Sequence, residues 1–438
     1  MFRLPAMLLL TGIAAVAAPT FNKDVLPILQ KHCQECHRPG EIAPFSMLSY
    51  TDARPWAKSI KSAVVTEKMP PWFADPKYGH FANDRRLSAA EVATLVGWVD
   101  GGALEGDKKD APAPRTFQDG WNIKPDMIIE MPKDFHVKAT GTINYQNILV
   151  NAHFDEDKWV VAAEMRPGNA KVVHHMRAIV RPPDSSWMRK AVPGDAYEEG
   201  SEGMGGAKEG TDLLGKYNPG LGAQSFDVNG SAKFVPKGSD IVFNIHYTSV
   251  GTPETDRSKV GLVFAKNPPK ERYWMSPGTP AAFNLAIPAG DSDAEVVSEV
   301  TVGVDTVKLV YIQPHLHLRG KDYELQLIYP TGESEVVFKG KWNFDWQIGY
   351  QLTKPIPLPK GTRIRAIAHY DNSANNKFNP DPTKTILWGD QNWDEMQSGF
   401  IGLVFDMKTD VNKVFAPSGP SLLPRGKFGP TLAALDTK

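Results

Sequence analysis

Cysteine is almost absent from this chain: 438 residues hold two, Cys33 and Cys36. No disulfide framework can brace its bulk, so its cores must stand on packing alone. A surplus of charge is lacking as well. Lys+Arg 49 against Asp+Glu 50 leaves a formal charge of −1, and without a positive excess nothing draws the chain onto a nucleic-acid backbone. Nucleic acid is therefore excluded as a partner. Long hydrophobic runs are missing too. One apolar run covers residues 4–18, which is short for a bilayer, and no later stretch reaches the roughly eighteen residues of a spanning helix. No transmembrane segment is expected in the mature protein.

What is present begins with that run. Arg3 precedes it and the small residues Ala15, Val16 and Ala17 end it, the pattern of a secretory signal peptide over residues 1–18. The expected location is periplasmic or secreted, after signal peptide removal. A chain of 438 residues carries a prior of about three domains. Gly 37 and Pro 36 exceed ordinary usage and favour turn-rich β architecture.

Residues 20–102 read as helical. Phe21, Val25, Ile28 and Leu29 recur at helix spacing, and Ser88 with Glu91 three residues on forms a capping box before Val92, Leu95, Val96 and Val99. Leu87 and Val92 can form the hydrophobic staple, and Gly101-Gly102 stops the helix. Residues 107–115 are charged and Pro/Ala-rich with nothing to bury, which reads as a linker. Beyond Trp121 the period becomes two, as over residues 241–247 and 321–329, with frequent turns. That pattern predicts β-sandwiches. Residues 200–222 are Gly-rich and read as a long surface loop, and residues 267–280 as the boundary between two sandwiches.

The first chemical motif is Cys33-Gln34-Glu35-Cys36-His37. Two thiols three apart, followed at once by an imidazole, suit thioether attachment of one covalently bound haem c, with His37 as proximal iron ligand. A redox CxxC would follow a strand rather than a helix, and a zinc site would need more ligands, His32 being one candidate. The region resembles a small class I cytochrome c domain. Met69, in Lys68-Met69-Pro70-Pro71, is the expected distal ligand, with Met47 as competitor.

The second set of motifs consists of histidines. Of 11 in the chain, five fall in His174-His175-Met176, His246-Tyr247 and His315-Leu316-His317. His315 and His317, two apart on a strand, share a face and can grip one ion. His174 and His175 are neighbours, which on a regular strand point oppositely, so both can reach one ion only at a bulge or strand end. His369 reads as core or support rather than ligand.

A fourth element is Asp394-Glu395-Met396. HHM, HY, HxH and DEM in this order resemble the copper type II, ascorbate-dependent monooxygenases, the family of peptidylglycine α-hydroxylating monooxygenase and dopamine β-monooxygenase. The resemblance covers roughly residues 121–410. It implies two copper ions: an electron-transfer copper on His174, His175 and His246, and an oxygen-activating copper on His315, His317 and Met396, whose soft sulfur favours the reduced metal. It also implies hydroxylation of an activated C–H bond of a small organic substrate with dioxygen, using an external electron donor such as ascorbate or a cytochrome. Where the peptide hydroxylase grips a carboxylate, this chain has Gln313, Ser398 and Phe400. A C-terminal glycine substrate is not expected, and a less polar one is.

The resulting expectation is a mainly β protein with a small α domain. A signal peptide (1–18), a cytochrome c domain (19–106) and a linker (107–120) precede two jelly-roll-like sandwiches (121–272 and 273–415) and a tail (416–438). His315, His317 and Met396 carry catalysis, and the haem relays electrons to copper. The competing reading is a non-enzymatic periplasmic electron-transfer or copper-binding protein.

Overall fold

A computed structural model describes residues 18–117, 120–198, 212–218, 220–276 and 278–417. The signal-peptide stretch over residues 1–17 and the tail from 418 lie outside the described residues. The chain is mainly β, with a few helices near the N-terminus and several antiparallel sheets. It divides into two compact units, Met1–Pro71 with Arg85–Thr116, and Trp72–Asp84 with Phe117–Lys438.

In the helical unit a turn over Phe21–Val25 runs into the helix Leu26–His32, followed by the helices Ala57–Val65 and Ala89–Asp100. The capping box is formed in both directions: Ser88 Oγ accepts from the Glu91 N–H at 3.2 Å, and Glu91 Oε2 accepts from the Ser88 N–H at 2.8 Å. The Ser88 hydroxyl and the Glu91 carboxylate each satisfy one backbone N–H at the helix start, and the carboxylate's charge complements the helix dipole there. Phe21, Val25, Leu29, Leu95 and Trp98 form the core, with Leu87 and Val92 packed at its margin. The charged stretch after residue 106 does not stand free. Gln30 Nε2 donates to the Ala113 carbonyl at 2.9 Å and Arg115 Nη1 to the Gln30 carbonyl at 2.7 Å, tying it to the helical unit.

The segment Trp72–Asp84, inside the span assigned to the helical domain from sequence, belongs to the β unit instead. The reason is aromatic burial. Trp72 packs edge-on to Tyr350 at 4.9 Å, Phe81 meets the same ring at 5.3 Å, and bridges Ala74 to Gly340 and Phe81 to Leu352 fix the backbone.

Among the described residues of the β unit, one sheet of nine strands runs through both hydrophobic cores. On one side Met127–Glu130, Lys259–Phe264, Lys158–Arg166 and Ser231–Val235 face a five-stranded sheet that includes Gln146–Val150, Asp240–Tyr247, Val173–Arg181 and Asp212–Tyr217. On the other, Glu271–Met275, Ser398–Phe405, Val307–His315 and Tyr350–Leu358 accompany a four-stranded sheet of Ala294–Thr301, Arg363–Tyr370, Gly320–Ile328 and Ser334–Lys341. The two halves join where Glu271–Met275 pairs in parallel with Ser231–Val235. The stretch read as a boundary therefore contains a strand that continues the sheet.

The Gly-rich stretch 200–222 is a correction in part. Residues 199–211 and 219 lie outside the described residues, but Asp212–Tyr217 is a buried strand paired with Val173–Arg181. Gly215 faces Ala163 and Met165 closely there, since a Cβ on it would meet both at 3.4 Å. Gly215 lies inside a strand rather than in a turn.

Candidate metal centre

His174 and His175 sit at the start of the strand Val173–Arg181, opposite His246 on Asp240–Tyr247. His246 pairs with His175 and Tyr247 with Val173, so His174 is the extra residue of a β-bulge. A bulge is what lets neighbouring side chains turn to one side. His175 Nδ1 stands 3.1 Å from His174 Nδ1, and one ligand nitrogen from each of His174, His175 and His246 lies within 4.8 Å of the others. These three can hold a metal ion.

The nitrogens are prepared for that task. Tyr145 Oη lies 2.8 Å from His175 Nε2, which leaves Nδ1 as the ligand atom. His246 Nδ1 is buried without a hydrogen-bond partner. Burial first, then the neighbouring imidazoles, pushes His175 well below its ordinary range and His246 down to about 3, and burial lowers His174. The rings are neutral at physiological pH, the form that donates a lone pair to a cation.

His315 ends the strand Val307–His315 and His317 lies two residues beyond its end. Their rings stand 5.3 Å apart and nearly perpendicular. Gln347 Oε1 takes the His315 Nδ1–H at 2.9 Å, which leaves Nε2, and His315 Nε2 and His317 Nδ1 are both buried without partners. Burial, ahead of neighbouring charges, holds His315 well below its ordinary range and His317 at about 4. An unpaired buried nitrogen costs about 1–3 kcal/mol. Three of them in one region fit residues built to receive a metal.

Met396 is buried, and its carbonyl accepts from Tyr370 Oη at 2.8 Å. Its neighbour Glu395 is fully buried, with Oε2 accepting from the His317 N–H at 2.8 Å and Oε1 from the Arg319 N–H at 2.6 Å. This carboxylate fastens the Met396 segment to the turn that carries His317. Burial raises Glu395 to about 8 against those hydrogen bonds. His369 is neither core nor support to this region: half-buried, it pairs with Asp322 at 2.7 Å and Glu295 at 3.6 Å on the four-stranded sheet.

The region around Gln313 and Phe400 is not apolar. Lys216 Nζ donates to Gln313 Oε1 at 2.7 Å and stands 3.1 Å from the centre of the Phe400 ring, and the Arg177 guanidinium faces the same ring at 5.3 Å. Burial, then Arg177, holds Lys216 well below its ordinary range. Sequence reasoning missed Tyr145, Arg177, Lys216 and Gln347, which occupy no spaced motif. Only Glu395 was within reach, as the middle residue of DEM.

In the helical unit, Cys36 N and His37 N both donate to the Cys33 carbonyl, at 3.1 and 2.9 Å, so the motif closes into one turn. Both cysteines are free, and burial raises Cys33 to about 12 and Cys36 to about 11. His37 Nδ1 lies 3.2 Å from the Phe45 carbonyl, leaving Nε2 as the nitrogen that could ligate a metal. His32 Nε2 is engaged by Glu91 at 3.1 Å, and among the described residues no group of three metal-ligating His, Cys, Asp or Glu side chains includes the cysteines. Met69 is half-buried beyond the helix Ala57–Val65, while Met47 is buried and its N–H donates to the His37 carbonyl at 2.9 Å.

Comparison with known proteins adds little to this geometry. No family model matches the chain, and no curated protein matches it by sequence. Solved structures similar to parts of it include a particle of infectious bursal disease virus, at 9% identity and TM-score 0.21 over 67% of this chain and 72% of that one. Others are PBCV-1 VP54, at 7% identity and TM-score 0.24 over 66% and 96%, and a secreted protein from Parabacteroides distasonis, at 8% identity and TM-score 0.17 over 64% and 89%.

Proposed function

We propose that this protein is a periplasmic or secreted copper-dependent monooxygenase whose N-terminal unit carries a c-type haem. In this reading the β unit is a pair of jelly-roll-like sandwiches, and its copper ligands are His174, His175 and His246 at one site and His315, His317 and Met396 at the other. One observation carries it: five histidines from three separate motifs lie as ring neighbours in the β unit, and His246 Nδ1, His315 Nε2 and His317 Nδ1 are buried without a hydrogen-bond partner. Copper bound there supplies the one-electron chemistry that lets dioxygen oxidise a C–H bond of a small organic substrate. The chain's part is to present neutral imidazoles, to fix their tautomers through Tyr145 and Gln347, and to exclude water around His175, His246, His315 and His317.

The haem reading rests on Cys33, Cys36 and His37, with Met69 as the distal ligand and Met47 beside His37 as the alternative. A haem held by Cys33, Cys36 and His37 would supply one-electron chemistry, the kind ascorbate otherwise supplies.

Metal and haem analysis on protein matured in a periplasm tests the reading, with one haem and two coppers per chain expected. The haem should survive acid acetone, and Cys36→Ala should weaken its attachment. Oxygen consumption with substrate separates an enzyme from an electron carrier. Met396→Ala should abolish oxygen consumption while leaving the His174, His175 and His246 site loaded, and His246→Ala should impair that site instead. Full turnover by Met396→Ala would show that the oxygen site lies elsewhere.

A further inference from the structure

The segment Trp72–Asp84 does more in the β unit than bury two aromatic rings. The chain places it there between two stretches of the helical unit, Met1–Pro71 and Arg85–Thr116. It lies along two sheet edges at once. Ser334–Lys341 is the outer strand of the four-stranded sheet and Tyr350–Leu358 the outer strand of the nine-stranded one, so each has backbone groups on its open side to be paired. On the first edge the Phe73 carbonyl accepts from the Lys341 N–H at 3.2 Å, and the Asp75 N–H donates to the Lys339 carbonyl at 2.8 Å. The approach is close enough that a Cβ on Gly340 would lie 2.8 Å from the Phe73 carbonyl oxygen. On the second edge the His80 carbonyl accepts from the Thr353 N–H at 2.9 Å, and the Ala82 N–H donates to the Gln351 carbonyl at 2.8 Å. Asn83 closes that row with its side chain: Nδ2 donates to the Gly349 carbonyl at 2.8 Å, and Oδ1 accepts from the Gln351 N–H at 2.9 Å.

These two edges are the feet of one loop, residues 342–349, which contains no helix or strand. Three of its side chains reach the histidines. Trp342 Nε1 donates to the His317 carbonyl at 2.9 Å, Phe344 stacks on His174 at 5.2 Å, and Gln347 Oε1 takes the His315 Nδ1–H at 2.9 Å. Without a ladder of its own, the loop stands where its feet are held.

We infer that Trp72–Asp84 is a positioning strap for the histidine region, and that Asn83 is the positioning residue whose grip on Gly349, two residues from Gln347, keeps the Gln347 amide against His315. A histidine ring is fixed in one tautomer by the partner of its non-ligating nitrogen. Asn83 thus acts on His315 through the loop without touching it. The purpose of this support rests on the copper reading above, whereas its geometry does not.

The test reads the His315 ring directly. Two-bond proton–nitrogen correlation spectra of the full chain, metal-free and with isotope-labelled histidine, show which ring nitrogen carries the proton. The unaltered protein should show His315 as a single tautomer with the proton on Nδ1. Asn83→Ala should turn it into a mixture of both tautomers, moving toward the pattern of Gln347→Leu, while His136 on the strand Phe135–Val137 keeps its signals. Asn83→Asp keeps the acceptor for the Gln351 N–H and gives up only the donation to Gly349, so it should shift His315 in the same direction even if the alanine variant fails to fold. Phe81→Leu weakens the strap's packing against Tyr350 and leaves both Asn83 hydrogen bonds, so it should lower the thermal midpoint without moving the His315 proton. An unchanged His315 tautomer in both Asn83 variants would overturn the inference, and so would an equal shift in Phe81→Leu, which would mark the strap as general support. Because no metal is needed, a chain that binds no copper would sink the copper reading and leave this result standing.

Discussion

At the scale of single residues, the proposed centre depends on side chains that are not themselves candidate ligands. Gln347 fixes His315 through one carbonyl oxygen, which also accepts from Asn218 Nδ2 at 3.1 Å, while Gln313 Nε2 donates to the Gln347 backbone carbonyl at 2.9 Å. With Nδ1–H held there, Nε2 is the only nitrogen free to ligate. Gln347→Leu removes the acceptor and keeps the volume, so copper affinity at the His315 site should fall by about 10–100-fold, with the His174, His175 and His246 site unaffected. Competitive titration with a chelator measures both. Equal affinity at both sites in wild type and variant would remove Gln347 from this role. Gly349 contributes by absence, since a Cβ there would lie 1.7 Å from Tyr311 Oη, whose hydroxyl reaches Gln313 at 3.3 Å.

At the scale of elements, the capping box of Ala89–Asp100 couples helix stability to pH. Burial opposes ionisation of Glu91, but hydrogen bonds from Ser88, Lys31 and His32 outweigh it and bring the carboxyl to about 2, below the ordinary 4.5. A depressed carboxyl contributes stability above its unfolded value, and that contribution is lost as pH falls from about 4.5 toward about 2. Ser88→Ala should cost about 1 kcal/mol at neutral pH and flatten the loss over that acid window. Far-ultraviolet circular dichroism of thermal unfolding at several pH values measures both effects. An unchanged acid profile in the variant would show that the cap is not the titrating contact. The bulge at His174 is the other element with a function. It converts an alternating strand into one that sends two successive imidazoles the same way, and shifting it by one residue would separate His174 from His175.

At the scale of the whole molecule, the shared nine-stranded sheet sets how the β unit unfolds. Glu271–Met275 pairs with Ser231–Val235 on one side and Ser398–Phe405 on the other, so each half of the unit depends on a strand of the other half. The two halves should unfold in a single transition, with calorimetric and van't Hoff enthalpies equal for that transition. A fragment ending near residue 270 should not fold, because it leaves the Ser231–Val235 edge unpaired. Two resolved transitions within the β unit, or a folded fragment, would count against this coupling.

The sequence by itself determined the local features. The capping box, the helix stop at Gly101, the strands over residues 241–247 and 321–329, and the condition that His174 and His175 reach one ion only at a bulge or strand end all follow from contacts within a few residues, where periodicity and capping chemistry act directly. It also marked the candidate ligands, because histidines in tight spacing stand out against 11 in the whole chain. Tertiary structure alone decided the rest. Trp72–Asp84 joins the β unit because Trp72 and Phe81 meet Tyr350, a partner far away in sequence. The strand Asp212–Tyr217 arises inside a Gly-rich stretch because it completes a sheet edge. The contact of His175 with His315 joins residues 140 positions apart, by subtraction of their numbers. No local pattern encodes such a meeting, since the register of a shared sheet and the packing of two cores against it set the distance between them.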